Sequence, residues 1–173
     1  MTTHRLVILR HAKAETPGGA VDHERPLALL GRRQSTTVGG ELARAGLAPT
    51  RVLCSSSLRT RQTWELVRGA LAAAGAPAAD VVDVSDVLYD AGAAELVALV
   101  REVPEEVTTV LVVGHEPTVS HAAAVLAGPG SDDAAVARVR TGVPTGAWSV
   151  LEVDGPWSGL DAGGARLVGF GTP

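Results

Sequence analysis

The chain has 173 residues, 46% hydrophobic and 20% charged, with a formal net charge of −4. That length predicts one domain, residues 1–173, with a continuous core that needs no disulfide or structural metal. An acidic balance with a single Phe and a single Tyr excludes a general nucleic-acid surface, which needs a basic face and commonly stacking aromatics.

The first element is "RLVILRH" at 5–11, an apolar, β-branched run predicted as a buried strand ending at His11. Its apolar stretch is too short for a signal-peptide core, and no segment approaches the length of a membrane span. Residues 12–26 hold Pro, Gly and several charges and read as an exposed loop. His4, ahead of the strand, is expected at the surface. A helix is predicted from Leu30–Gly31 to Arg44 or Ala45, with Gly46 as its stop. Arg32 and Arg33 fall on its solvated face.

"RVLC" at 51–54 is a second strand, followed by a helix over 57–74 with Trp64, Val67 and Leu71 on its core stripe. "DVVDV" at 80–84 is a weaker strand. Residues 92–103 form a helix with Leu96, Leu99, Val100 and Val103 on one face, before Pro104. "TTVLVVGH" at 108–115 is the strongest strand signal, and a helix from Pro117 to Ala127 follows. Residues 128–145 are irregular, with one helical turn expected around 132–138. "GAWSVLEV" (146–153) and "ARLVGF" (165–170) read as two final strands, a candidate antiparallel pair.

Alternating strands and helices predict an α/β fold, a three-layer α/β/α sandwich with a mostly parallel central sheet. In such sheets ligands collect beyond the carboxyl ends of the strands. His11 and His115 both sit at such ends.

A single cysteine forms no internal disulfide, which makes a reducing cytoplasm the expected location. "CSSSLRTRQT" at 54–63 superficially resembles the phosphate loop of cysteine-dependent phosphatases. That loop needs five residues between Cys and Arg, and here four separate Cys54 from Arg59. A loop one residue short cannot close the same ring of amides around phosphorus. Cys54 ends an apolar strand, where a thiol packs as a small hydrophobe.

The histidines offer different chemistry. "LRHAKAE", "SSSLRTRQT" and "VVGHEP" all lie at strand-to-helix junctions, so they bring Arg10, His11, Arg59 and His115 to one edge of the sheet. Arginines bind phosphoryl oxygens in bidentate fashion, and helix N-termini add amide donors. A neutral histidine is a competent nucleophile; nearby arginines disfavour its protonation, and a hydrogen bond from one ring nitrogen, most simply to a backbone carbonyl, aims the other.

With "DHERPLALLGRRQ", "LYDAGAAELVALV" and "PTGAWSVLEV" added, the chain resembles the histidine phosphatase superfamily, of phosphoglycerate mutase-like fold. Within it the resemblance is to the short branch of SixA-type phosphohistidine phosphatases. The resemblance implies that His11 is the nucleophile, that Arg10 and Arg59 bind phosphate, and that His115 holds the transferring group from the other side. Where the family's commonest motif has Gly after Arg-His, this chain has Ala12, as the short branch often does. The family's general acid has no clear match: Asp90 is the candidate, and Glu95 falls on a helix face. Arg25 has two readings, a substrate contact at the pocket mouth or part of a solvated loop.

No cofactor is expected. "HEPTVSH" spaces His115 and His121 six apart, unlike a zinc helix, so no metal site is expected either. The expected substrate is a phosphohistidine on a protein, because imidazole leaves without much help from an acid. The alternatives are a small phosphorylated molecule, or a non-catalytic phosphate-binding regulatory module. The chain is short for a mutase, with little room for insertions that exclude water.

Overall fold

The structure, a computed structural model, describes residues 3–76 and 79–173. Six strands form one sheet: β1 (His4–Arg10), β2 (Arg51–Ser55), β3 (Val82–Ser85), β4 (Thr109–Gly114), β5 (Trp148–Val153) and β6 (Arg166–Gly171). Their order is β3-β2-β4-β1-β5-β6. The first four are mutually parallel, and β5 and β6 join antiparallel beside β1. The helices are α1 (Leu29–Arg44), α2 (Leu58–Ala73), α3 (Val87–Asp90), α4 (Ala93–Arg101), α5 (Thr118–Leu126) and α6 (Asp133–Arg140).

The central strands are apolar along their length because both faces are covered. On β1, Leu6 and Ile8 pack with Leu96 and Val100 of α4, Leu126 of α5 and Val139 of α6. Its alternate residues Val7 and Leu9 pack with Val38 and Leu42 of α1 and with Trp64, Val67 and Leu71 of α2. A period-2 strand thus feeds two cores at once. This is the expected three-layer arrangement, and Trp64, 2% exposed, belongs to the core as its stripe predicted.

Two expectations are corrected and one element is added. His4 is buried, at 6% exposure. Its ring lies 4.8 Å from that of Trp157, with Nδ1 2.9 Å from the Gly155 carbonyl oxygen and Nε2 3.1 Å from that of Glu105. The cover comes from a turn about 150 residues away in sequence, which local pattern cannot reveal. The single helical turn expected at 132–138 extends to Arg140, with Asp132 accepting from the Ala135 N–H as its cap. The one-turn helix α3 was not foreseen. Among the described residues, no helix is long and apolar enough to cross a membrane.

Candidate active site

The parallel strands present their carboxyl ends along one edge. β1 ends at Arg10 and β4 at Gly114, and these two residues pair in register. The next residues, His11 and His115, therefore leave the sheet side by side, with ring centroids 5.2 Å apart. β2 ends at Ser55 and leads into α2, whose first turn carries Arg59. Strand register, with the β2–α2 turn that places Arg59, thus brings together all four residues singled out from the sequence.

His11 is 8% exposed, and its Nδ1 lies 2.8 Å from the carbonyl oxygen of Ala12. Nδ1 therefore carries the proton and donates it, leaving the Nε2 lone pair free. The carbonyl left open by the sequence is that of the next residue. Burial pushes the His11 pKa down to about 3; the Ala12 bond opposes this, while His115, Arg59 and Arg10 reinforce it. The arginines act in the expected direction, but burial is the larger cause. Ala12 itself is fully buried, its N–H bonded to Thr63 Oγ1 at 3.1 Å.

The turn after His11 is fixed by a close approach. A Cβ on Gly31 of α1 would lie 2.0 Å from the Lys13 carbonyl oxygen, so only glycine lets the helix pack here. From the other side, Gly146 donates its N–H toward the carbonyls of both Arg10 and His11, at 3.2 and 3.1 Å, with φ at +77°. Glu116 accepts from the Val143 N–H at 2.9 Å, and the Val143 carbonyl accepts from Arg10 Nη1 at 2.7 Å. The 141–147 segment thereby orients the Arg10 guanidinium.

His115 is half-buried, with Nε2 2.7 Å from Ser55 Oγ and Nδ1 3.4 Å from Arg59 Nη2. Arginine only donates, so Nδ1 accepts and Nε2–H donates to Ser55. Burial, then the Arg59 charge, lowers the His115 pKa to about 4. Arg59 is 6% exposed; its Nη1 donates to the Asp22 carbonyl oxygen at 2.7 Å and its Nη2 to Asp22 Oδ2 at 3.1 Å.

Depressed histidines make stability sensitive to mild acid. An unfolded histidine titrates near 6.5, so between that value and the folded pKa the unfolded chain holds more protons, and stability falls as pH falls. Each of His11 and His115 should contribute a slope of about 1 kcal/mol per pH unit there. Asp22, whose pKa is lowered to about 2 chiefly by the Tyr89 hydrogen bond, adds its own loss only below about pH 4, as it nears its unfolded value. Thermal melts between pH 7 and 5 are expected to show a falling midpoint, with a smaller fall in His11→Ala. A midpoint independent of pH over that range would contradict the burial of these rings.

Three further residues join the cluster. Asp22 sits at the start of a short 3-10 turn (Asp22–Glu24) in the loop after β1. Tyr89 of α3 donates its hydroxyl to Asp22 Oδ2 at 2.7 Å, and its ring stands edge-on to His115, centroids 5.5 Å apart. Ser55 is the partner of His115. Tyr89 is the chain's one tyrosine and Asp22 opens "DHERPL", so both carried a signal that was not used.

The remaining candidates fall elsewhere. Asp90 is exposed at the end of α3 and joins no hydrogen bond of the cluster among the described residues; on a helical turn it points about 100° away from Tyr89. Glu95 accepts from the Gly92 N–H at 3.0 Å, holding the start of α4. Arg25 donates to Asp22 Oδ1 at 2.9 Å and to the Glu15 carbonyl at 3.0 Å, so it braces the loop and meets the cluster through Asp22. Cys54 is buried, and burial raises its thiol to about 12, far from a thiolate nucleophile.

The model of the histidine phosphatase superfamily (branch 1) matches residues 6–81. An uncharacterised protein of Mycobacterium tuberculosis is 44% identical over 169 residues, 95% of this chain and 99% of that one. A SixA protein from Nakamurella multipartitia superposes with a TM-score of 0.81 at 36% identity, covering 100% of this chain and 98% of its own. A protein histidine phosphatase SixA solved in complex with tungstate gives a TM-score of 0.73 at 26% identity, covering 98% of this chain and 97% of that one. The chain belongs to the histidine phosphatase superfamily, in its SixA-type branch, and is a phosphatase of the histidine-nucleophile kind.

Proposed function

We propose that the protein removes the phosphoryl group from a phosphohistidine on a protein, in the cytoplasm, with His11 as nucleophile and no cofactor. The observation that carries this reading is a pair of unsatisfied donors. The Nε atoms of Arg10 and Arg59 are buried and have no hydrogen-bond partner among the described residues. A buried N–H left unpaired costs about 1–3 kcal/mol. Two such donors on the arginines flanking a free imidazole nitrogen suit a tetrahedral oxyanion.

In this mechanism the His11 Nε2 lone pair attacks phosphorus while the Ala12 carbonyl holds the ring by its Nδ1–H. Arg10 and Arg59 share the charge on the equatorial oxygens of a loose transition state. His115 closes the other side, held by Ser55 at Nε2, and its Nδ1 accepts from Arg59 Nη2 and so steadies the guanidinium against the phosphoryl group. Water then attacks the phosphorylated His11, releasing phosphate and regenerating the neutral ring.

The leaving group is the second argument. An alkoxide needs a proton from an acid that is protonated at neutral pH. The carboxyl group that touches this cluster, Asp22, is held at about 2 and so is ionised. Imidazole needs no such help when its other nitrogen carries a proton. The test is a substrate panel. A histidine-phosphorylated phosphotransfer protein should turn over about 10²-fold faster than an unactivated alkyl phosphate, the usual worth of a general acid. Faster turnover of the alkyl phosphate would instead assign the protein to small phosphomonoesters.

A further inference from the structure

Asp22 is the carboxylate of the site, yet it is ionised and so cannot protonate a leaving group. Its side chain is 53% exposed, against 7% for that of Arg59 to which it is bonded. It therefore stands on the solvent side of the guanidinium. It is also held in place. Oδ2 accepts from Arg59 Nη2 and from Tyr89, Oδ1 accepts from Arg25, and its carbonyl accepts from Arg59 Nη1. Tyr89 is in turn packed edge-on against His23, centroids 4.9 Å apart, and His23 Nε2 lies 2.9 Å from Ser56 Oγ. The result is a fixed negative charge on the solvent side of a cluster that holds Arg59, His115 and His11.

We propose that Asp22 is the specificity-determining residue of this site, its carboxylate favouring a phosphoryl group carried on a protonated imidazole over one carried on oxygen. The assignment rests on the phosphohistidine reading above. A phosphorylated imidazole protonated at its second nitrogen is a ring cation. When His11 Nε2 bonds to phosphorus, the substrate's P–N bond breaks and its electron pair returns to the ring nitrogen. The proton on the second nitrogen stays where it is. The substrate ring leaves neutral, and the positive charge now resides on His11, which keeps its Nδ1–H on Ala12. No proton has to move, so an ionised carboxylate is suitable where a protonated one would serve an oxygen ester. The same charge attracts the incoming ring cation and repels the anionic phosphoryl group of a substrate that brings no cation.

The test compares kcat/KM for a histidine-phosphorylated phosphotransfer protein with that for p-nitrophenyl phosphate, in the parent, Asp22→Asn and Asp22→Glu. Both rates can fall in Asp22→Asn, since Arg59 loses a charged partner. The ratio of the two is expected to drop about tenfold or more, the range of one hydrogen bond to a charged group. Asp22→Glu, which keeps the charge, should hold most of the ratio. Equal losses on both substrates in Asp22→Asn would overturn the proposal, leaving Asp22 as a brace for Arg59. Should Asp22→Asn fail to show a folded thermal melt, Asp22→Ser removes the same charge with a smaller polar side chain, and equal losses on both substrates there overturn it equally. A parent that prefers the aryl ester points to failure of the substrate reading itself.

Discussion

Replacing His11 with alanine is expected to abolish turnover, by about 10⁴-fold or more, the scale seen when a covalent nucleophile is removed. The chemistry leaves no substitute. His115, 5.2 Å away between centroids, has its ring nitrogens engaged by Ser55 and Arg59. Cys54 is buried and held protonated. The variant should still fold, because the His11 N–H bond to the Gly114 carbonyl is a backbone contact that alanine keeps. It should also still bind phosphate, because both arginines remain. Loss of turnover with retained phosphate binding separates a missing nucleophile from a collapsed site. A folded His11→Ala enzyme with activity within tenfold of the parent would refute the assignment.

Arg59 is the second large effect. Arg59→Ala should lower kcat by about 10³-fold, the lower end for arginines that stabilise a transferring phosphoryl group. Arg59→Lys should recover little of it. The guanidinium reaches the Asp22 carbonyl, the Asp22 carboxylate and His115 at once, and still has a buried Nε–H without a partner among the described residues. A lysine ammonium is a single point charge and cannot repeat that fork. Loss of the charge should also raise the His115 pKa, since Arg59 is the second cause of its depression after burial. Steady-state kinetics on both variants test this. An Arg59→Lys enzyme within tenfold of the parent would mean that charge alone, without the fork, suffices.

The parts of the fold that could be read from sequence are those buried on both faces. β1 and β4 are continuous apolar runs because helices cover both sides of them, and their ends placed His11 and His115 correctly. β3 is an edge strand of four residues, only partly buried, so its pattern is weak and it was expected at 80–84 where the strand is Val82–Ser85. α3 has four residues, too few for a helical period to show. His4 was misplaced because its cover comes from Gly155, Trp157 and Glu105, contacts that depend on the completed sheet.

The site divides in the same way. Residues on strand ends or in the first turn after them were found, since backbone geometry fixes where they emerge. Asp22 and Tyr89 lie on a loop and on a single turn, and they meet directly, Tyr89 sharing Asp22 Oδ2 with Arg59. In "CSSSLR" nothing local distinguishes Ser55, which touches His115, from Ser56 and Ser57. The choice of Asp90 as candidate acid was one residue from Tyr89, the side chain that reaches the cluster.

The most direct measurement is to mix the parent enzyme with a protein carrying ³²P-labelled phosphohistidine, quench during turnover, and map the label on the enzyme. The account predicts phosphate on His11, stable in alkali, lost in acid and absent from His11→Ala. Turnover with label on another residue, or with an acid-stable linkage, would contradict it.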